Sequence, residues 1–412
     1  MSTQDNSPEK AADLAEVESG PLPDPDVELM IGEAGPRGRR ATRRTLMTIL
    51  TEDPRWVGRF QLDTFQNLIT FDGRPLNDTD LTRTSCWMEA VYQTTPSREL
   101  VQEVAACVAE DEAFHPVCAY LKGLRWDRVE RSTTLLGGYL GVKDSPLVQE
   151  MGRAFLVGAV ARVLEPGCKL DTMLVLIGPQ GAGKSRFCRA LAPEPSWFGD
   201  TPIDLRSKDA YLALQGKWIY ELAEMEALRG KAATRVKSFL SSPTDTFRAP
   251  YDRATRDYPR QCVFIGTSNH PDLFDDGTGS RRFWPVEIEE IAVEALEDDR
   301  DQLWAEAMAR YRRGERWHLA PELEASRQRA VARYQLTDPH REQLEAWISR
   351  VSESFTTTEA ITAGLGIPAD RVDRSLQTRI GPLLHELGCV KFRTRQGGRR
   401  EWRWSPTGES GE

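Results

Sequence analysis

The stretch LVLIGPQGAGKSRF, residues 174–187, packs three glycines, a lysine and a hydroxyl behind an apolar run. Gly178, Pro179, Gln180, Gly181, Ala182, Gly183, Lys184 and Ser185 satisfy the spacing G-x-x-x-x-G-K-[ST], with Arg186 directly behind. Each residue type answers a separate need. Gly181 and Gly183 let the backbone turn tightly and aim N–H groups at phosphate oxygens. A helix starting at the lysine adds the positive end of its dipole. Lys184 can reach the β- and γ-phosphates, and the Ser185 hydroxyl can ligate Mg²⁺. Residues 178–186 are therefore expected to hold ATP with Mg²⁺.

Hydrolysis needs an acidic group as well. GKWIYELAEMEAL, residues 216–228, places Glu221 at the end of a strand-like run and Glu224 three residues on. Glu221 can support Mg²⁺ while Glu224 orients water, or the two roles are reversed. CVFIGTSN, residues 262–269, is another apolar run, ending in Thr267, Ser268 and Asn269. A polar side chain there can hold the attacking water near the γ-phosphate, which makes Asn269 a candidate. In DDGTGSRRFWPV, residues 275–286, Arg281 and Arg282 follow a glycine turn. Either guanidinium can stabilise charge on the transferring phosphoryl group, supplied by a neighbouring subunit.

Two basic segments suit a polyanion. In residues 245–266, Arg248, Arg253, Arg256 and Arg260 interleave with Phe247, Tyr251 and Tyr258. Arginines neutralise phosphates and aromatic faces stack bases, so Arg248, Arg253 and Arg256 are expected to touch single-stranded DNA in a pore. In VKFRTRQGGRREWRWS, residues 390–405, Lys391, Arg393, Arg395, Arg399 and Arg400 surround Trp402 and Trp404. Period two is expected to turn one set inward and the other to solvent, forming a wing for duplex DNA or for contact with another protein.

Strands and helices must position these groups. The runs 172–178, 217–223, 261–267 and 283–288 read as strands and 184–192, 207–215 and 231–241 as helices. That alternation predicts an α/β core with a largely parallel sheet over residues 151–335. Residues 41–150 read as mainly helical, with short β-like runs ending at Asp72-Gly73. Residues 341–405 read as three helices and two strands, the order of a winged helix, with a helix-turn-helix bend at Leu365-Gly366. Residues 1–40 read as a tail, with 1–36 rich in Pro, Gly, Asp and Glu and disordered, running into the basic RGRRATRR of residues 37–44.

Composition bounds the function. Net charge is −9 over 412 residues, so any nucleic-acid contact must be a local basic patch. No apolar stretch reaches the ~20 residues of a membrane helix, and the N-terminus lacks a signal-peptide pattern, so a cytoplasmic protein is expected. The seven cysteines form no C-x-x-C pair, which predicts free thiols.

The motifs together resemble the virulence-associated protein E family, ATPases of the superfamily three helicase type found mainly in phages and other mobile elements. The resemblance rests on HPVCAYLKGLRWD (115–127), VGAVARVLEPGCKLDTMLVLIGPQGAGKS (157–185), KDAYLALQGKWIYELAE (208–224), VKSFLSSPTDTFRAPYDR (236–253), PRQCVFIGTSN (259–269) and DGTGSRRFWPVEI (276–288). It implies an AAA+-related core, a homo-oligomeric ring (often a hexamer) and ATP-driven DNA unwinding in replication, alongside other replication proteins. By motif, Lys184 and Ser185 match the phosphate loop, Glu221 the acidic strand end, Asn269 the sensor and Arg281 or Arg282 the finger. A second reading is a DNA-binding loader or regulator that uses ATP as a switch and unwinds little. A small-molecule kinase would need neither the arginine-rich hairpin nor the basic C-terminus.

Overall fold

The computed structural model describes residues 22–32, 34–36, 38–204, 207, 209–225, 231–248, 255–271, 280–334, 340–396 and 399–406. The chain divides into two compact units, residues 1–334 and 335–412.

The first unit opens with helices α1 (Pro25–Ile31) and α2 (Arg43–Glu52), the antiparallel strands β1 (Phe60–Asp63), β2 (Leu68–Phe71) and β3 (Arg74–Pro75), and helices α3 (Asp78–Tyr92) and α4 (Arg98–Asp111). The expected tail is corrected here, although residues 1–21 lie outside the described residues. Asp24 caps α1 through its carboxylate, Val27 is buried, and Arg39 donates to the carbonyl oxygens of Gly32 and Tyr92. One well-placed apolar residue and a cap hold a helix that composition averaging hides. Val27, Leu46, Trp56, Phe60 and Val104 share one apolar cluster.

Next come α5 (Pro116–Gly123), α6 (Leu135–Leu140) and α7 (Pro146–Leu164). Helix α7 is apolar nearly all round and correspondingly buried. Val117, Leu121, Leu135 and Leu140 join Leu174, Trp218 and Trp304 in the main core. Residues 115–150 therefore pack with the α/β core, and the boundary expected near residue 150 does not mark a change of core.

The core itself follows as β4 (Met173–Ile177), α8 (Lys184–Ala190), β5 (Phe198–Gly199), α9 (Asp209–Leu212), β6 (Ile219–Leu222), α10 (Lys231–Ser241), β7 (Thr244–Phe247), β8 (Arg256–Pro259), β9 (Val263–Ser268), β10 (Phe283–Glu287), α11 (Val293–Arg312) and α12 (Glu324–Ala332). The helix expected over 207–215 is reduced to the short α9. The sheet is wholly parallel, in the order β10-β4-β9-β6-β5. Strands β4 and β9 are buried at every position, as a sheet covered on both faces requires. Strands β7 and β8 form a separate antiparallel pair.

The second unit holds α13 (Arg341–Ile348), a short helical segment over residues 357–364, α14 (Arg374–Glu386) and the hairpin β11 (Val390–Gln396) and β12 (Arg399–Ser405). Leu344, Ile361, Ile380, Leu384 and Trp404 form its own core. Gly366 takes φ 69 after the helical segment, a turn that favours glycine. Among the described residues, no helix is long and apolar enough to cross a membrane. All seven cysteines are free.

Candidate nucleotide-binding site

Strand order builds the site. Strand β9 lies between β4 and β6, so its polar tip falls between the glycine loop after β4 and the carboxylate on β6. Gly181 and Gly183 take φ 80 and 94, left-handed values that the loop needs and that other residues rarely adopt. Gly178 has no room for a side chain, because a Cβ there would meet Ile288 Cγ1 at 2.5 Å.

Lys184 is buried, and its ammonium donates to the carbonyl oxygens of Gly178 (2.7 Å) and Pro179 (2.8 Å) and to Asn269 Oδ1 (3.0 Å). The loop thus holds its own lysine at the strand tips, and the Asn269 oxygen ties it to β9. Glu221 is 2% exposed, and its Oε1 accepts from both Ser185 Oγ (2.8 Å) and Thr267 Oγ1 (2.8 Å). Glu221 Oε2 is buried and has no hydrogen-bond partner among the described residues. An unsatisfied buried carboxylate oxygen costs about 1–3 kcal/mol or more, which a cation or a polar hydrogen can relieve.

A cleft of about 420 Å³ opens over these groups, lined by Gln180, Gly181, Gly183, Lys184, Ser185, Arg186, Glu221, Glu224, Thr267 and Asn269, together with Ala223 and Ser268. Gly178, Pro179 and Ala182 belong to the same loop but not to that lining. Arg186 is exposed and pairs with Glu294 at 3.1 Å. Glu224 is exposed at the rim with φ 54, a left-handed value uncommon outside glycine.

The donor set suits a hard cation: one hydroxyl, one open carboxylate oxygen, and space for phosphates and water. Among the described residues, no group of three or more His, Cys, Asp or Glu could hold a metal by itself. Mg²⁺ would have to share its coordination with the nucleotide, through Ser185 and Glu221.

Arg281 and Arg282 do not line the cleft. Arg281 is exposed and makes no hydrogen bond or ion pair among the described residues. Arg282 is half-buried, donates from Nε to Ser241 Oγ at 2.7 Å, and lies 3.9 Å from Asp171. The sequence does not separate these neighbours, because Ser241 and Asp171 are remote along the chain.

The β7–β8 hairpin departs from expectation. Phe247 is buried and stacks on Tyr258, with ring centroids 4.3 Å apart, so its face is not free for a base. Arg260 is buried against Asp245 and the Phe239 carbonyl. Arg248 and Arg256 are exposed, while Arg253 lies outside the described residues. At the C-terminal hairpin, the alternation of aromatic and basic sides is also corrected. Trp404 is 3% exposed and Trp402 is 53% exposed, although both lie on the same side of β12. The hairpin runs past the edge of its small core, so only the inner tryptophan is covered.

A model of the virulence-associated protein E-like domain matches residues 121–336, just over half of the chain. The chain belongs to this family. The family match spans the three strands that meet at the cleft, β4, β6 and β9, and the β7–β8 pair. The chain is also similar to solved structures of the NrS-1 C-terminal region in apo form. One is 13% identical, covers 85% of this chain and 96% of that one, and has a TM-score of 0.46. Another is 14% identical, covers 69% and 77%, and has a TM-score of 0.43. The JCV helicase structure is 14% identical, covers 66% and 80%, and has a TM-score of 0.24. No curated protein matches.

Proposed function

We propose that the chain is an ATP hydrolase that works as a homo-oligomeric DNA helicase, in the replication of phage or other mobile-element DNA in a host cytoplasm. One observation carries the reading: Glu221 has one oxygen fixed by two hydroxyls and the other buried and open, beside a lysine at the mouth of a glycine loop. On binding, the phosphates of ATP exchange for the carbonyls that hold Lys184, and the loop N–H groups take their oxygens. Mg²⁺, bound with ATP, would neutralise phosphate charge. Ser185 donates its proton to Glu221 and keeps its lone pairs for the cation. Asn269 and Glu224 are the candidates to orient the attacking water, and Glu221 keeps its carboxylate facing the phosphates.

Arg281 is the better candidate for a finger delivered to a neighbouring subunit, since it is exposed and no hydrogen bond or ion pair holds it among the described residues, Glu324 acting on it only through longer-range charge. Arg282, tied to Ser241 at the end of α10, fits a positioning role that links the turn to the segment entering β7. Arg248 and Arg256 remain candidates for DNA contact on the hairpin. The helices and hairpin of the second unit support a winged-helix reading, with Arg395 and Arg399 placed on the hairpin by backbone pairing.

The test is ATP turnover titrated with single-stranded DNA. Stimulation by DNA, with loss of turnover in Lys184→Ala, is the expected result. Turnover unchanged across the titration favours the ATP-switched loader or regulator. Wild-type turnover in Lys184→Ala places the active site elsewhere.

A further inference from the structure

The C-terminal hairpin sorts its charges by face. In an antiparallel ladder, directly opposed residues point the same way. The register pairs Lys391 with Trp404 and Arg393 with Trp402, and places Arg400 two residues beyond Trp402 on that face. By register the other face carries Arg399 and Arg403, and Arg403 is neutralised by Glu401 at 2.8 Å and Glu359 at 3.3 Å and also donates to the Ser354 carbonyl. Lys391, Arg393 and Arg400 are exposed, and none makes an ion pair with a described carboxylate.

The aromatic part is held in place. Trp404 is anchored in the core, its Nε1 donating to Thr357 Oγ1 at 3.0 Å. Lys391 Nζ lies 5.3 Å from the Trp402 ring and 5.4 Å from the Trp404 ring, and Arg393 Cζ lies 5.7 Å from the Trp402 ring. These cation–π contacts bracket an indole that is 53% exposed. In a chain of net charge −9, a face that brings Lys391, Arg393 and Arg400 together around an open indole is a local exception.

We infer that this face is a single-strand nucleic-acid site, in which Trp402 stacks an unpaired base while Lys391, Arg393 and Arg400 hold the flanking phosphates. Cations alone would suit any polyanion. The exposed indole selects one with free π-faces, which a duplex keeps inside its own stack. An acidic protein surface would engage the cations and leave the indole unused. The inference deepens the nucleic-acid part of the proposed function and does not depend on the nucleotide cleft.

The experiment measures binding of the full chain, without nucleotide, to labelled oligo(dT) and to a duplex of equal length, over a range of salt. Trp402→Ala is expected to weaken oligo(dT) binding roughly tenfold with its salt slope retained, and Trp402→Phe to recover most of the loss. Arg393→Ala is expected to lower the slope of log K against log salt by about 0.7, the value for one phosphate contact on a single strand. Photo-cross-linking with iododeoxyuridine oligonucleotide is expected to label the peptide containing Trp402. An unchanged thermal midpoint in Trp402→Ala shows that the unit stays folded. Wild-type oligo(dT) affinity in Trp402→Ala, preference for the duplex at this face, equal competition by polyglutamate, or labelling confined to other segments would each overturn the inference. Because no ATP is present, loss of the hydrolysis reading leaves this result intact.

Discussion

Glu221 differs at its two oxygens, and that difference is the most specific feature of the site. Among the described residues Oε1 accepts two hydroxyl protons and Oε2 none. Thr267 is therefore a positioning residue: it fixes the carboxylate without lining up with any loop motif. Losing one donor to a buried carboxylate costs about 1–3 kcal/mol, roughly a 5- to 150-fold effect. Thr267→Val should lower kcat within that range and raise the Mg²⁺ concentration needed for half-maximal turnover. Thr267→Ser, which keeps the hydroxyl, should stay near wild type. Equal losses in both variants would mean that Thr267 matters through packing alone. Lys184, Ser185 and Glu221 were legible in the sequence because their chemistry demands fixed spacing or a strand end. The partnership of Thr267 was not, since threonine is an ordinary strand residue and its partner lies 46 positions away.

Elements bring these residues together through strand order, which a linear reading does not contain. Alternating apolar runs identify four strands, but only the pairing of β9 with both β4 and β6 explains why Asn269 meets Lys184 and Thr267 meets Glu221. Strand β5 spans two residues and has no periodicity to read. The aromatics of β7 and β8 illustrate a second limit: composition cannot tell a face offered to a ligand from one spent on the opposite strand. Helix α5 carries a pH-dependent contact. His115 Nδ1 accepts the Cys118 N–H at the helix start, and Nε2 meets Gln261 Oε1 at 2.6 Å, so the ring is neutral with its proton on Nε2. Burial holds its pKa below the ordinary 6.5. The unfolded chain takes up the proton first as pH falls. The stabilisation is thus full above about 6.5 and is lost as pH drops through the lower folded value. Thermal midpoints at pH 7.5 and 5.0 should differ less in His115→Asn, which keeps a capping side chain, than in wild type. An equal pH dependence in the two proteins would remove His115 from the account.

At the scale of the whole molecule, the acidic balance of the chain hides its basic surfaces, and only their placement separates Arg260, spent on Asp245, from Arg248, Arg256 and Arg393, which face solvent. The proposed assembly makes each site depend on two protomers. Arg281→Ala and Glu221→Gln proteins, each inactive alone, should regain part of their ATP turnover when mixed, because some interfaces then pair an intact Glu221 with an intact Arg281. Arg282→Ala should lose DNA stimulation more than basal turnover, as expected of a residue bound to Ser241 within its own chain. No recovery in any mixture would argue against shared sites. The most direct measurement is strand displacement from a forked DNA duplex with ATP and Mg²⁺. Wild type should release a strand, and Lys184→Ala and Glu221→Gln should release none. Brisk, DNA-stimulated hydrolysis by wild type with the fork left intact would contradict the proposed unwinding.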